Sequence, residues 1–317
     1  MNQFNDLEFY KNQVVFYKQT LMDSINYAKR IQTAIMHSEE ELKKSLPNIF
    51  ILHQPKDIIG GDFYWLSKKD KHKLIIAAAD GTGHGIPGAL LSMLGVSFLN
   101  EIVNTLRIFE PAEILNSLRE RIIKTLRQTG KDTDTQDAID IALVTIDKKG
   151  GTVEFAGSYS PLYLVRSNNI ISNNRNGIDL IPISEIESDN KFTLFEIKGD
   201  KMPTGISLTY GKFEKNILDY PLKRKLFLTK LREDHAFKNN TFKYFKNDVI
   251  YLFSDGYKDQ FGGAEGKRFK SRGFKKLLLS IQDKSMEEQL EILNSVLSEW
   301  KAHWDQTDDI LVIGVKL

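Results

Sequence analysis

The sequence predicts an α+β fold of layered, mainly antiparallel strands with flanking helices, preceded by a long N-terminal helix. Three observations carry that prediction. Apolar runs of strand length come in groups: strands, two helices, strands again, a helical stretch and a last strand. That order lacks the regular strand–helix alternation of a doubly wound parallel sheet. Short polar turns join successive runs, the clearest being Lys148-Lys149-Gly150-Gly151 between AIDIALVTID and TVEFAGSY. Finally, residues 5–46 hold no proline, and Leu7, Val14, Leu21, Ala28, Ile35 and Leu42 recur every seven residues.

That heptad series predicts a coiled coil, and so a homodimer through residues 5–46. Ser24, Ser38 and Ser45 interrupt the second seam, and the alternative is one amphipathic helix lying on its own domain. Pro47 is expected to end the helix, dividing the chain into residues 1–46 and a domain of residues 47–317. From Ile49 the text turns to strands: IFILHQ, then FYWLS after the Gly60-Gly61 break, then KHKLIIAAAD after the turn Lys69-Asp70-Lys71. A helix is expected over 89–107. A second opens at Pro111, with Ile114, Leu115, Leu118, Ile122 and Leu126 on one face and Gly130 past its end. Strands follow in AIDIALVTID, TVEFAGSY and PLYLVRS, with IISNNRNG continuing the meander. Residues 207–247 are irregular and basic, and read as a solvated insertion or a docking surface for an acidic or phosphorylated partner. DVIYLFSDG is another strand, two helices are expected near 271–282 and 285–303, and DDILVIGVKL closes the chain.

Composition narrows the chemistry. A hydrophobic content of 41% supports a sizeable core, and a net charge of +2 gives no sign of a nucleic-acid partner. The absence of cysteine excludes thiol catalysis, disulfides and cysteine-held zinc, and leaves metals with oxygen ligands open. MNQFNDLEFY lacks the basic start and apolar core of a signal peptide, and no apolar stretch approaches the ~18 residues of a membrane span. The expectation is a soluble, cytoplasmic protein without membrane insertion.

Four acids share one grammar. Asp62 (GGDFYW), Asp80 (AAADGTG), Asp255 (LFSDG) and the pair Asp308-Asp309 (QTDDILVIG) each stand at the end of an apolar strand beside glycine or another acid. An acid at the mouth of a buried strand is costly unless a cation or hydrogen bonds compensate it. Strand ends converge in packed sheets, and gathered carboxylates repel unless hard cations sit between them. Oxygen-only donors favour magnesium or manganese, and the Gly81 carbonyl adds a further donor. Two such ions about 3.5–4 Å apart would lower the pKa of a bridging water and clamp a phosphoryl oxygen. The rival is Gly83-His84-Gly85-Ile86-Pro87-Gly88, which matches the G-x-G-x-x-G dinucleotide fingerprint. Asp80 carries the wrong charge to face a pyrophosphate. In addition, the stretch after Gly88 continues as helix instead of reaching a second strand that ends in an acid.

At these residues the sequence resembles the metal-dependent type 2C (PPM-type) serine/threonine phosphatases, in the branch typified by the sporulation stage II protein E. The matching blocks are PKDIIGGDFYW, ADGTGHGIPGALLSMLG, DIALVTID, VEFAGSYSPLYLV, MPTGI, YLFSDGYKDQFGG and QTDDILVIGVKL. The resemblance implies an α-β-β-α sandwich with two manganese or magnesium ions held by Asp62, Asp80, the Gly81 carbonyl, Asp255 and Asp308. Asp308 is preferred to Asp309 because the family ligand is the first of that pair. It implies direct attack of metal-bound water on phosphoserine or phosphothreonine. The expected substrates are phosphorylated regulatory proteins such as anti-sigma-factor antagonists, acting in partner switching. His84 lies four residues past Asp80, where a general-acid histidine of the wider family would adjoin its aspartate. Asp137 and Asp140 fall where a weak third ion is sometimes bound. The alternative function is a non-catalytic phosphoprotein-binding module of the same fold.

Overall fold

A computed structural model describes residues 2–36, 38–128, 137–173, 185–206 and 235–317. Two antiparallel sheets lie face to face. The six-stranded sheet has the order β1 (Ile49–Gln54), β13 (Ile310–Lys316), β10 (Val249–Phe253), β6 (Leu162–Ser167), β8 (Phe192–Ile197) and β7 (Glu185–Ser188). The five-stranded sheet runs β2 (Phe63–Lys68), β3 (Lys73–Gly81), β4 (Ile139–Asp147), β5 (Thr152–Ser158) and β9 (Asn240–Lys243). Successive side chains on a strand point to opposite faces, and each strand uses both. On β3, Leu74, Ile76 and Ala78 join the core between the sheets, while Ile75, Ala77 and Ala79 face the helices. On β13, Leu311, Ile313 and Val315 point inward, and Ile310 and Val312 outward. Sheets buried on both faces therefore read as continuous apolar runs, which is why LIIAAA and ILVIGV lack polar alternation.

Helices close both outer faces. α3 (Gly85–Leu99), a π-helical turn (Asn100–Thr105) and α4 (Pro111–Thr125) cover the five-stranded sheet. α7 (Lys270–Ser280) and α8 (Met286–Lys301) cover the other. The result is the α-β-β-α sandwich. The π turn aims its asparagines at β2: Trp65 Nε1 donates to Asn100 Oδ1 at 3.0 Å and Ser67 Oγ to Asn104 Oδ1 at 2.7 Å. Trp65 thus buries its ring without orphaning its N–H.

Several expectations need correction. The first helix is not continuous to Pro47. α1 spans Asn2–Ile35, and α2 (Glu39–Ser45) starts afresh from Ser38, whose side chain forms a capping box with Glu41. The heptad series splits accordingly. Val14 and Leu21 are exposed, Ala28 and Ile35 are half-buried, and Leu42 and Leu46 sit in the core between the sheets. The C-terminal half of α1 lies against α3 of its own domain, with Met22, Ile25 and Ala28 half-buried and Gln32 buried, while Tyr27 and Ile31 on its other side and the apolar residues of the N-terminal half stay exposed. IISNNRNG is not a strand in its described part: α5 (Asn168–Asn173) takes its first residues, and 174–177 lie outside the described residues. Strands β7 and β8 had no counterpart in the sequence reading. Most of the basic segment, 207–234, also lies outside the described residues. Its end is not solvated, since Phe237 and Phe242 are core residues and β9 pairs with β5. Finally, Gly85–Thr105 is one helical run long and apolar enough to cross a membrane, contrary to the expectation that no stretch is. Half of its most apolar window is buried here, packed on the five-stranded sheet and α4. A core helix covered on several sides is apolar for that reason.

Candidate metal centre

Strand alternation decides where the acids go. Asp80 extends the inward series Leu74, Ile76, Ala78, and Asp140 faces it in register at the start of β4. Asp62 precedes β2 with the parity of the inward Leu66, and Asp309 precedes β13 with the parity of Leu311. Asp255 follows β10, whose end is tied to β13 by the Ser254 N–H donating to the Leu311 carbonyl at 3.0 Å. Antiparallel pairing brings all these ends to one edge of the space between the sheets. The topology thus gathers acids that stand up to 247 positions apart along the chain, the separation of Asp62 and Asp309.

The Asp308-Asp309 pair divides its labour. Asp309 is buried and accepts from the backbone N–H of Lys56 at 2.7 Å, Gly61 at 2.6 Å and Asp62 at 3.3 Å. It therefore fastens the loop 55–62 over the edge. Glycine is required there, because a Cβ on Gly60 would stand 2.5 Å from Asp309 Oδ2, and one on Gly61 would collide with the Gly81 carbonyl. Asp308 remains exposed, with one carboxylate oxygen accepting the Asp309 N–H at 2.9 Å. Of the two, Asp308 is free to hold a ligand.

The remaining acids are buried without enough partners. Asp62 is 2% exposed, and its Oδ2 has no hydrogen-bond partner. Burial pushes its carboxyl well above the usual range, Asp80 adds to the rise with smaller contributions from Asp309 and Asp308, and a hydrogen bond with Ser254 opposes it. Asp80 is raised likewise, first by burial and then by Asp255, Asp140 and Asp308, against a backbone hydrogen bond from Asp255. Burial and Asp255 lift Asp140 to about 6. Asp255 is raised by burial, with Lys258 pulling it down. Among the described residues no three carboxylate or imidazole side chains close on one point at ligand distance. The case for an ion rests on donor chemistry: oxygen donors only, mutual repulsion, and a buried carboxylate oxygen that nothing in the protein satisfies. That donor set fits a hard divalent cation.

His84 stands at the rim. It precedes α3, with Nδ1 2.7 Å from Asp57 Oδ2 and Nε2 3.3 Å from Lys56 Nζ, and both partners lie on the loop that Asp309 fastens. Sequence reading did not single out Gln32, 5% exposed, whose Nε2 donates to the Gly60 carbonyl at 2.7 Å and to Ser92 Oγ at 2.9 Å. It also gave no role to Ser254 or Ser158, whose side chains bond to Asp62 and Asp140. The dinucleotide reading fails on topology. β3 pairs antiparallel with both neighbours, so no parallel β-α-β unit exists around the glycine turn.

Comparison with known proteins places this architecture. The family model of stage II sporulation protein E matches residues 70–180. The SiaA-PP2C domain of Pseudomonas aeruginosa superposes with a TM-score of 0.72 at 25% identity, over 95% of this chain and 98% of that one. The PP2C phosphatase domain of SpoIIE from Bacillus subtilis, with a fragment of its regulatory domain, gives 0.55 at 15% identity, over 85% of this chain and 62% of that one. The RsbU and RsbW domains of a Mycobacterium tuberculosis protein give 0.52 at 14%, over 86% and 60%. At those identities the last two speak for the fold alone. No curated protein sequence matches the chain. The sandwich is that of the PP2C-type serine/threonine phosphatases, the class its structural neighbours define. Within that class, the likeness to the stage II sporulation protein E covers residues 70–180.

Proposed function

We propose that the chain hydrolyses phosphoserine or phosphothreonine on a regulatory protein, with two manganese or magnesium ions held by Asp62, Asp80, the Gly81 carbonyl, Asp255 and Asp308. The observation that carries this reading is Asp62, buried beside further carboxylates with one oxygen unpartnered. Bound divalent ions supply an activated water and a counter-charge for the phosphoryl oxygens. The protein's own residues do the rest. Asp309 and the two glycines hold the loop 55–62 so that Asp62 and the Gly81 carbonyl stay at the edge. Asp57 accepts from His84 Nδ1 and orients the ring. Nε2 lies against the Lys56 ammonium in this arrangement, and would serve as general acid to the departing serine or threonine oxygen only once it is parted from Lys56 and protonated. The test is manganese-dependent release of phosphate from a phosphoprotein or a simple phosphate ester. Absence of both hydrolysis and calorimetric metal binding would refute it.

The partner we propose is a phosphorylated anti-sigma-factor antagonist in the cytoplasm, a reading that rests on the family resemblance of the sequence motifs. We also propose a homodimer through the outer half of α1, where Phe9, Val14, Phe16, Tyr17 and Leu21 are each more than half exposed. Deletion of residues 2–20 should halve the mass by light scattering, while residues from Met22 onward keep their packing on the domain. An unchanged mass would remove the dimer.

A further inference from the structure

Directly after Asp255 the chain makes one helical turn, α6 (Gly256–Asp259), and that turn is fixed on both sides of its third residue, Lys258. Tyr257 is fully buried, and its hydroxyl donates to the Leu293 carbonyl at 2.9 Å. The Asp259 N–H donates to the Asp255 carbonyl at 3.1 Å, and the Asp259 carboxylate meets Arg268 at 3.4 Å. Gln260, also buried, donates to the carbonyls of Phe261 and Asp305, each at 2.9 Å. Lys258 itself is half-buried and, among the described residues, forms no hydrogen bond and no ion pair within 4 Å. Asp255 caps this turn and Lys258 stands three residues on, so the two share one face of the helix at the edge where the acids gather. The lysine's charge also lowers the carboxyls of Asp255 on one sheet and Asp140 on the other. The acids there are balanced by cations when the site is loaded, and an incoming phosphoryl dianion adds charge that the acids cannot offset. An unpaired ammonium carried on an anchored turn meets that need, because lysine binds phosphate as a compact point charge.

We propose that Lys258 is a substrate-binding residue that grips a phosphoryl oxygen at the cleft mouth, an assignment that rests on the phosphatase reading above. The competing role, in which Lys258 only neutralises its acidic neighbours, differs in what it predicts for phosphate. Its loss would then leave phosphate untouched. The experiment compares wild type, Lys258→Ala and Lys258→Arg, all manganese-loaded. Product inhibition by inorganic phosphate, KM for a simple phosphate ester and KM for a phosphopeptide should each weaken about tenfold or more in Lys258→Ala, the loss of one charge-assisted hydrogen bond. The arginine variant should recover most of it. Weakening confined to the phosphopeptide would mean that Lys258 reads a neighbouring acidic side chain, and would overturn the assignment. So would phosphate inhibition within twofold of wild type. Should the wild type hydrolyse nothing, phosphate titrated calorimetrically into the manganese-loaded protein decides the matter alone. Weaker binding by Lys258→Ala supports the phosphate grip even as the catalytic reading fails, and equal binding ends it.

Discussion

One strand, β10, carries at each end a carboxylate that burial raises, and the two are built on opposite terms. Before the strand stands Asp248, 0% exposed. Arg166, also buried, reaches it through Nη2 at 2.7 Å and Nε at 3.1 Å and stacks over the Phe245 ring, while the Phe245 N–H donates to the same carboxylate at 2.8 Å. After the strand stands Asp255, which feels Lys258 and Arg268 only through their charge, beside Asp62 and Asp80, whose surroundings are chiefly more carboxylate. Burial raises the carboxyls at both ends, but only at the first does an arginine oppose the rise through hydrogen bonds and charge. Elsewhere the protein repeats the first pattern, pairing buried Lys275 with Glu196 at 2.7 Å. A structural acid carries its cation within the sequence. On the proposed reading, an acid left without one takes it from solution.

The largest effects should separate the two ends. Asp80→Asn or Asp255→Asn should lower manganese-dependent hydrolysis at least ~10³-fold, matching the several kcal/mol such ions supply, yet should leave the metal-free fold as stable as wild type or more so, because each removes a repelling charge. Asp248→Asn should do the reverse. It strands a buried guanidinium, a loss of roughly 3–5 kcal/mol, readable as a lower urea midpoint. Should Asp80→Asn unfold the protein as Asp248→Asn does, the distinction between the ends would collapse. A gentler probe adds the missing cation. Manganese at a hundred times its Kd should stabilise wild type by about 2.7 kcal/mol, and Asp62→Asn should lose most of that gain while Asp248→Asn keeps it.

The strands and the four acid motifs were legible because their signals are local: an apolar run, an acid, a glycine. Asp309 looked like the twin of Asp308, and only its contacts with loop 55–62 distinguish the anchoring acid from the available one. Asp140 lacks a flanking glycine, and only the register that sets it against Asp80 brings it to the edge. The break in the first helix was written as Ser38 with Glu41 three residues on, but a seven-residue count that runs through it conceals a capping box. β8 (FTLFEI) did carry a strand signal that the sequence reading passed over, whereas β7 (EIES) is short and polar and takes its place only by pairing with β8. α5 takes up IIS, apolar enough for a strand, just after β6, where Asn168 is tied across to the β7–β8 turn by donating to the Asp189 carbonyl at 2.9 Å, a contact no local signal announces.

Gln32 makes the finest test of how the exposed helix meets the site. It is the one fully buried side chain described on α1, and it bonds both to the loop that carries Asp62, through the Gly60 carbonyl, and to α3, through Ser92. Gln32→Ala removes a buried donor and leaves that carbonyl unsatisfied, a loss of about 1–3 kcal/mol. If α1 merely rests on the domain, the loss should appear only as a lower denaturation midpoint, with manganese affinity unchanged. If Gln32 holds the Gly60-Gly61-Asp62 turn in register, manganese affinity should also fall, because Asp62 follows Gly61 directly and a shifted carbonyl moves the carboxylate with it. Lys29→Ala, on an exposed face of the same helix, should change neither quantity. The calorimetric metal titration of Gln32→Ala therefore distinguishes a helix that lies on the fold from one that positions the end of the sandwich where the acids lack a cation.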